Sequence, residues 1–424
     1  LMKNAIKLFD FSQKINFKNE LLAGFTVAMT MIPESLSFAI LAGLSPLTGL
    51  YAAFMMGLVT AIFGGRPGMV SGGAGATIVV LIALIKTHGV EYLFATVALA
   101  GVFQMLVGVF RLGKFVRLIP QPVMYGFLNG LAVIIFMAQV EQFKITDANG
   151  AVSWLQGSSL YIMSGLTALT IAIVYFFPKI TKIVPSSLIA ILIVFGVVVG
   201  FGIHTKTVAD IAHISGNLPS FHIPKIPFSL ETLQIIFPYA LIMAGVGLIE
   251  SLLTLSMVDE ITNSKGNTNK EAVAQGLANV TNGFFGGMGG CAMVAQTLVN
   301  LNAGSRARFS GIIASLTILV IILVGAPFIE KIPMAALVGV MMMVAISTFQ
   351  WVSISIINKM PKSDIFVGIT VALITIVLHN LALAVLVGVI ISALVFAWDN
   401  AKRIRARKYT DENGIKHYQI SGPL

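Results

Sequence analysis

Apolar runs long enough to cross a lipid bilayer follow one another along this 424-residue chain, and glycine-rich stretches break two of them in corresponding places. A hydrocarbon core about 30 Å thick takes roughly 20 residues of helix. Within it only helices or closed barrels satisfy their own backbone groups. Runs of about the required length fall near 21–43, 47–63, 72–87, 92–110, 120–139, 159–177, 185–203, 234–257, 270–286, 291–302, 310–328, 333–350, 364–379 and 381–398. Residues are 57% hydrophobic and 10% charged, whereas soluble domains average about 25% charged. The expectation is an all-α polytopic membrane protein with 14 transmembrane segments, and a soluble enzyme is excluded.

A net charge of +10 could suggest a nucleic-acid partner, but the positions of the charges argue otherwise. An even number of segments puts both termini on one side. With the N-terminus cytoplasmic, only Lys86, Lys144, Lys206, Lys225 and Lys331 of the 27 Lys and Arg fall outside. That is the asymmetry of the positive-inside rule, so the basic excess orients the chain in a plasma (inner) membrane and binds no nucleic acid. The polar, lysine-bearing start has no signal-peptide core, so the first span is expected to stay in the mature chain.

A polar stretch with prolines at 219, 224 and 227 separates two halves of seven segments. An odd number per half places the halves in opposite orientations, a 7+7 inverted repeat. The expected organisation is a cytoplasmic N-terminal segment (1–20), a first repeat (21–203), an extracytoplasmic connection (204–233), a second repeat (234–400) and a cytoplasmic basic linker (401–424). In that tail Lys416-His417-Tyr418-Gln419-Ile420 alternates as a β-strand does. A lone strand leaves its ladder unpaired, so a soluble domain is expected to begin here and to be missing beyond this strand.

The glycine-rich breaks are Ser71-Gly72-Gly73-Ala74-Gly75-Ala76-Thr77 and Gly286-Gly287-Met288-Gly289-Gly290-Cys291-Ala292, about one half-chain apart. Paired interruptions point to the substrate site of a secondary transporter. Each can start a half-helix, in segments 3 and 10, whose N–H groups and roughly +0.5 of macrodipole charge face an anion. The competing reading is close helix packing through small residues. Candidate contacts are Ala74, Gly75, Ala76 and Thr77 in the first break, and Ala292, Met293, Val294, Ala295 and Gln296 in the second.

Two carboxylates, Glu34 and Glu250, lie deep in apolar segments, where such groups face a cavity, pair or titrate. Thr254, four residues after Glu250, shares its helical face. A carboxylate with a hydroxyl and freed backbone carbonyls suits Na⁺, and a desolvated carboxylate suits H⁺. The alternative for Glu250 is a protonated acid hydrogen-bonded between helices. Glu34 follows Pro33, which can unwind its helix; it either lines the substrate cavity or satisfies backbone groups that Pro33 frees.

Other chemistry is thin. Six scattered His show no ligand spacing, one Cys (Cys291) forms no disulfide framework, and no GxxxxGK[ST] loop supports ATP hydrolysis. No cofactor is expected beyond Na⁺ or H⁺ as coupling ion. Trp351 and Trp398, at segment ends, suit interfacial anchors.

Several stretches, in order, resemble the sulfate permease (SulP) family. They are Ala42-Gly43-Leu44-Ser45-Pro46-Leu47-Thr48-Gly49-Leu50-Tyr51, Leu118-Ile119-Pro120-Gln121-Pro122-Val123-Met124-Tyr125-Gly126-Phe127, Glu250-Ser251-Leu252-Leu253-Thr254, and Asn300-Leu301-Asn302-Ala303-Gly304-Ser305-Arg306. Gln419-Ile420-Ser421-Gly422-Pro423-Leu424 resembles the opening strand of the family's STAS domain. The resemblance implies core (segments 1–4 and 8–11) and gate (5–7 and 12–14) bundles, usually in a homodimer. It implies elevator-like movement of sulfate, bicarbonate, chloride, oxalate or dicarboxylates. Thr48 stands where a tyrosine is common. Ala295-Gln296-Thr297-Leu298-Val299 stands where many members carry a basic residue. Without that charge the site depends on helix dipoles and amide donors, and a cation entering with the anion would complete its balance. The expected function is a secondary active inorganic-anion transporter, coupled to Na⁺ or H⁺ through Glu250. A dicarboxylate/H⁺ symporter, or an anion channel or exchanger of the same fold, is the alternative. A nucleobase transporter would want a carboxylate at the second break, which Cys291-Ala292-Met293 does not offer.

Overall fold

The computed structural model describes residues 15–113, 120–146, 152–181, 184–211, 214–378, 381–401, 405–410 and 414–421. The first seven apolar runs fold as α1 (Phe17–Leu41), α2 (Pro46–Phe63), α3 (Gly75–His88), α4 (Val90–Val109), α5 (Gln121–Glu141), α6 (Ser158–Ile180) and α7 (Ser186–Gly200). The others fold as α8 (Leu230–Thr262), α9 (Thr268–Phe284), α10 (Val294–Asn302), α11 (Phe309–Val324) with α12 (Ala326–Glu330), α13 (Met334–Thr348), α15 (Lys362–Leu378) and α16 (Leu381–Ala401). A short α14 (Trp351–Ser355) precedes α15. Among the described residues, six helices (α1, α2, α4, α5, α6 and α8) are long and apolar enough to span a membrane, with shorter apolar helices beside them.

Boundaries shift where local chemistry decides them. Helix α1 starts at Phe17, ahead of the expected end of the N-terminal segment, because Asn16 accepts from the N–H of Asn19. Helix α8 starts at Leu230 because Ser229 caps the N–H of Thr232. The eleventh run is split at Gly325, where Pro327 fits the first turn of α12 but could not continue α11.

Among the described residues there are three two-stranded ladders: β1 (Ser71–Gly72) with β4 (Cys291–Ala292), β2 (Lys144–Thr146) with β3 (Val152–Trp154), and β5 (Arg405–Thr410) with β6 (Lys416–Ser421). The last corrects the tail reading. From Arg405 on, the stretch expected as linker is a strand, and its antiparallel pairing from Arg405–Ser421 to Thr410–Lys416 supplies the ladder that a lone strand would lack; Lys402, Arg403 and Ile404 lie outside the described residues.

The chain forms two compact units. One contains residues 1–118 and 132–347, the other 119–131 and 348–424. In the first, α4 lies along α9, α1 and α2 along α11, α8 along α4, α2 along α9, α3 against α8 and α1 against α10. Small residues allow this closeness: a methyl on Gly101 of α4 would come within 2.5 Å of the Gly276 carbonyl of α9. Helices α6, α7 and α13 share this unit with the helices expected to form the core. Met163, Leu166, Ile191, Val194, Leu337 and Val338 join the same buried cluster as Met31 and Leu36 of α1. In the second unit Gly126 packs on Gly368 and Val371, and Asn129 accepts from the Gln350 N–H at 2.7 Å.

Candidate anion site at two crossing chain breaks

The two glycine-rich breaks meet. Ser71 pairs with Ala292 and Gly72 with Cys291 in an antiparallel ladder two residues long. Glycine is required by the closeness: a side chain on Gly290 would run into the carbonyl oxygen of Gly72. After its strand each chain turns at an extended residue, Ala74 (φ −104°, ψ 140°) or Met293 (φ −113°, ψ 115°), and begins a helix. Neither cap residue offers a side-chain hydrogen bond to the first turn. The N–H groups at the starts of α3 and α10 are therefore left without a side-chain cap, the donor arrangement that suits an anion. Helix α3 has 14 residues and α10 has 9. At 1.5 Å per residue α10 rises about 14 Å, half the thickness of the hydrocarbon.

Side chains and neighbouring backbone satisfy the backbone of the crossing, as burial in a bilayer demands. The Ala292 N–H donates to Ser251 Oγ at 3.0 Å, the Val70 N–H to Thr297 Oγ1 at 3.0 Å, and the Met293 N–H to the Val70 carbonyl at 2.9 Å. Asn300 Nδ2 donates to the Gly68 carbonyl at 2.8 Å.

The residues singled out in the sequence fall as follows. Ala74, Gly75, Ala76, Thr77, Ala292, Met293 and Gln296 are buried around the crossing, and Val294 and Ala295 are exposed at the start of α10. The Thr77 hydroxyl turns back into its own helix, donating to the Ala74 carbonyl at 2.9 Å. Glu34 does not serve its own helix. Its Oε2 accepts from Gln296 Nε2 at 2.6 Å, tying α1 to the first turn of α10. Glu250 Oε2 accepts from the Cys291 thiol at 3.1 Å, one residue along from the Ser251 bond to Ala292. The two carboxylates thus reach the same arm of the crossing from α1 and α8. The Thr254 hydroxyl donates to the backbone carbonyl of Glu250 at 2.8 Å, which leaves its oxygen lone pairs as its remaining polar capacity. Among the described residues no three His, Cys, Asp or Glu cluster as metal ligands.

No basic side chain contributes to these bonds. Arg66 pairs with Asp259 at 3.2 Å and donates to Thr262 and to Ser264 Oγ at the C-terminus of α8. Arg308 donates to the Ala61 and Gly64 carbonyls at 3.0 and 2.6 Å, capping α2. Burial lowers both guanidinium pKa values, while Asp259 and Glu271 respectively oppose the shift.

Sequence reasoning missed a polar face on α9. Glu271, Gln275, Asn279 and Asn282 are all buried, spaced four, four and three apart, and so share one side of the helix. The signal was available, since amides and an acid at helical spacing inside an apolar segment need partners. Glu20 was also missed: its carboxylate, 2% exposed, accepts from the N–H groups of Arg306, Ala307 and Ser310 at the start of α11. Apart from the crossing, a cavity of about 550 Å³ lies between α4, α8 and residues 223–229, lined mostly by apolar groups including Leu99, Ile223, Pro227, Phe228 and Leu233.

Residues 17–371 match the Sulfate permease family. "Putative sulfate transporter YbaR" of Bacillus subtilis (strain 168) is 42% identical over 409 residues, covering 96% of this chain and 83% of that protein. "Bicarbonate transporter BicA" of Picosynechococcus sp. (strain ATCC 27264 / PCC 7002 / PR-6) is 32% identical, covering 90% of this chain and 71% of its own length. The solved transmembrane domain of a cyanobacterium bicarbonate transporter BicA superposes with a TM-score of 0.77 at 29% identity, covering 89% of this chain and 99% of that one. The fold also matches SLC26A9, with a TM-score of 0.81 at 17% identity, over 98% of this chain and 71% of that one.

Proposed function

This chain belongs to the sulfate permease family, and on that premise we propose that it is a secondary active transporter of an inorganic anion of the sulfate or bicarbonate class. The anion binds where the N-termini of α3 and α10 meet. The observation that carries this reading is the β1–β4 ladder, which brings two helix starts without side-chain caps to one place. The donors there are backbone N–H groups and the Gln296 amide, so a dianion would leave negative charge uncompensated. Glu250, with Thr254, holds the coupling cation, Na⁺ or H⁺, on the same arm of the crossing.

Packing supports the inverted repeat. Helix α1 meets α11 as α8 meets α4, α1 meets α10 as α8 meets α3, and α2 meets α11 as α9 meets α4, about the β1–β4 pair. The chain spans the plasma membrane fourteen times with both termini cytoplasmic, α3 and α10 being half-helices. It works as a homodimer in which the core helices move elevator-like past the gate. Substrate and cation together shift the population between outward- and inward-open states through their differential affinity. A STAS domain begins at β6.

The test is uptake of labelled sulfate, bicarbonate and fumarate into proteoliposomes under imposed Na⁺ or H⁺ gradients. Cation-driven accumulation of sulfate or bicarbonate is expected. Accumulation of fumarate alone would reassign the protein as a dicarboxylate symporter, and currents far above carrier rates would make it a channel.

A further inference from the structure

The polar face of α9 touches both breaks. Asn279 makes a two-way bond with the backbone of Gly290: its Nδ2 donates to the carbonyl at 3.1 Å and its Oδ1 accepts from the N–H at 2.9 Å. In that respect the amide replaces a neighbouring strand. The same Nδ2 donates to Gln104 Oε1 at 2.8 Å, and Gln104 Nε2 donates to the Ala244 carbonyl at 3.4 Å, so the bond is anchored in α4 and α8. One turn away, Gln275 Nε2 donates to Ser71 Oγ of β1 and to Glu271 Oε1, each at 2.8 Å. Glu271 Oε2 in turn accepts from the Gly65 N–H at 2.7 Å, before the first break. Gln104, Gln275 and Asn279 are each 0% exposed.

We propose that Gln275 and Asn279 are positioning residues for transport: from one helix face they hold Ser71 of β1 and Gly290, the residue before β4, and so set the helix starts that bind the anion. A ladder two residues long is too short to fix its own register, and its outer edge has no water to bond within a bilayer. The α9 amides supply what the ladder lacks. The proposal rests on the anion-site reading above for its transport readout, and on geometry alone for a second readout at Cys291. That residue is the chain's one cysteine, adjoins Gly290 and is 0% exposed.

The experiment compares the purified full chain with Asn279→Leu, Asn279→Ser and Gln275→Ala. It measures half-saturation and maximal rate for labelled sulfate and bicarbonate, the rate of Cys291 modification by methylmercury, and the melting temperature. The expected result is a roughly tenfold higher half-saturation at a maximal rate within about threefold, the scale of one or two lost hydrogen bonds. Cys291 should be modified at least about tenfold faster in variants that remain folded, since loss of one good hydrogen bond is worth that factor. If Asn279→Leu does not fold, Asn279→Ser and Gln275→Ala decide. If the wild-type protein moves none of the anions, the anion-site reading fails, and the Cys291 rates still decide the positioning role. Folded variants with an unchanged Cys291 rate overturn the proposal, as does a fall in maximal rate and melting temperature without a change in half-saturation.

Discussion

Replacing Gly290 by alanine tests the crossing at its closest approach. The added methyl falls within the van der Waals surface of the Gly72 carbonyl oxygen. That atom is backbone, so no rotamer change relieves the overlap, and the strands must part by about 1 Å. Overpacking of this kind costs about 1–3 kcal/mol. Parting the strands also moves one helix start relative to the other. Loss of one hydrogen bond to a charged anion is worth about 1.5–3 kcal/mol, which weakens half-saturation roughly 10- to 150-fold. Uptake of labelled sulfate or bicarbonate into proteoliposomes gives this number, with the melting temperature measured alongside. Gly245→Ala on α8 is the control, because nothing lies within 4 Å of a methyl there; it should be neutral or stabilise by up to about 1 kcal/mol. An unchanged half-saturation in Gly290→Ala would refute the claim that the crossing positions the anion.

Three further substitutions probe the rest of the account. Glu250→Gln should abolish cation-driven accumulation while leaving downhill anion movement, as read by uptake with and without an imposed gradient. Gln296→Arg sets a guanidinium against Glu34 at the start of α10. It should strengthen sulfate binding without the coupling cation by about tenfold, the worth of one charge-assisted bond, as measured by uptake at varied cation concentration. Glu20→Ala removes the acceptor of three N–H groups at the start of α11; the one on buried Ser310, left without a partner, costs about 1–3 kcal/mol. The melting temperature should fall by several degrees, with half-saturation of the surviving folded protein unchanged.

Hydropathy and glycine placement made the helix positions and both breaks legible, because a bilayer penalises every unsatisfied backbone group and leaves few alternatives. The meeting of the breaks was legible only as an expectation. Ser71 and Ala292 are far apart in the chain, and nothing local specifies their pairing. Glu34 left two readings open because a carboxylate after proline can serve its own helix or a neighbour; in the structure it serves Gln296 of α10. Thr254 shares the face of Glu250, as the spacing requires, but its proton goes to the backbone carbonyl, a choice that helical spacing does not fix. The α9 amides went unread because their partners, Ser71, Gln104 and Gly290, lie on other elements. Strand β6 was visible from its alternation, whereas β5 was hidden in a run that reads as basic linker.

In the proposed site one anion sits where the starts of α3 and α10 meet. A density map of the purified protein, saturated with the anion that the uptake experiment identifies, tests it most directly. The anion is expected within about 2.7–3.2 Å of backbone nitrogens at residues 75–77 and 294–296. An anion bound at any other place, or none at the crossing under saturating conditions, would contradict it.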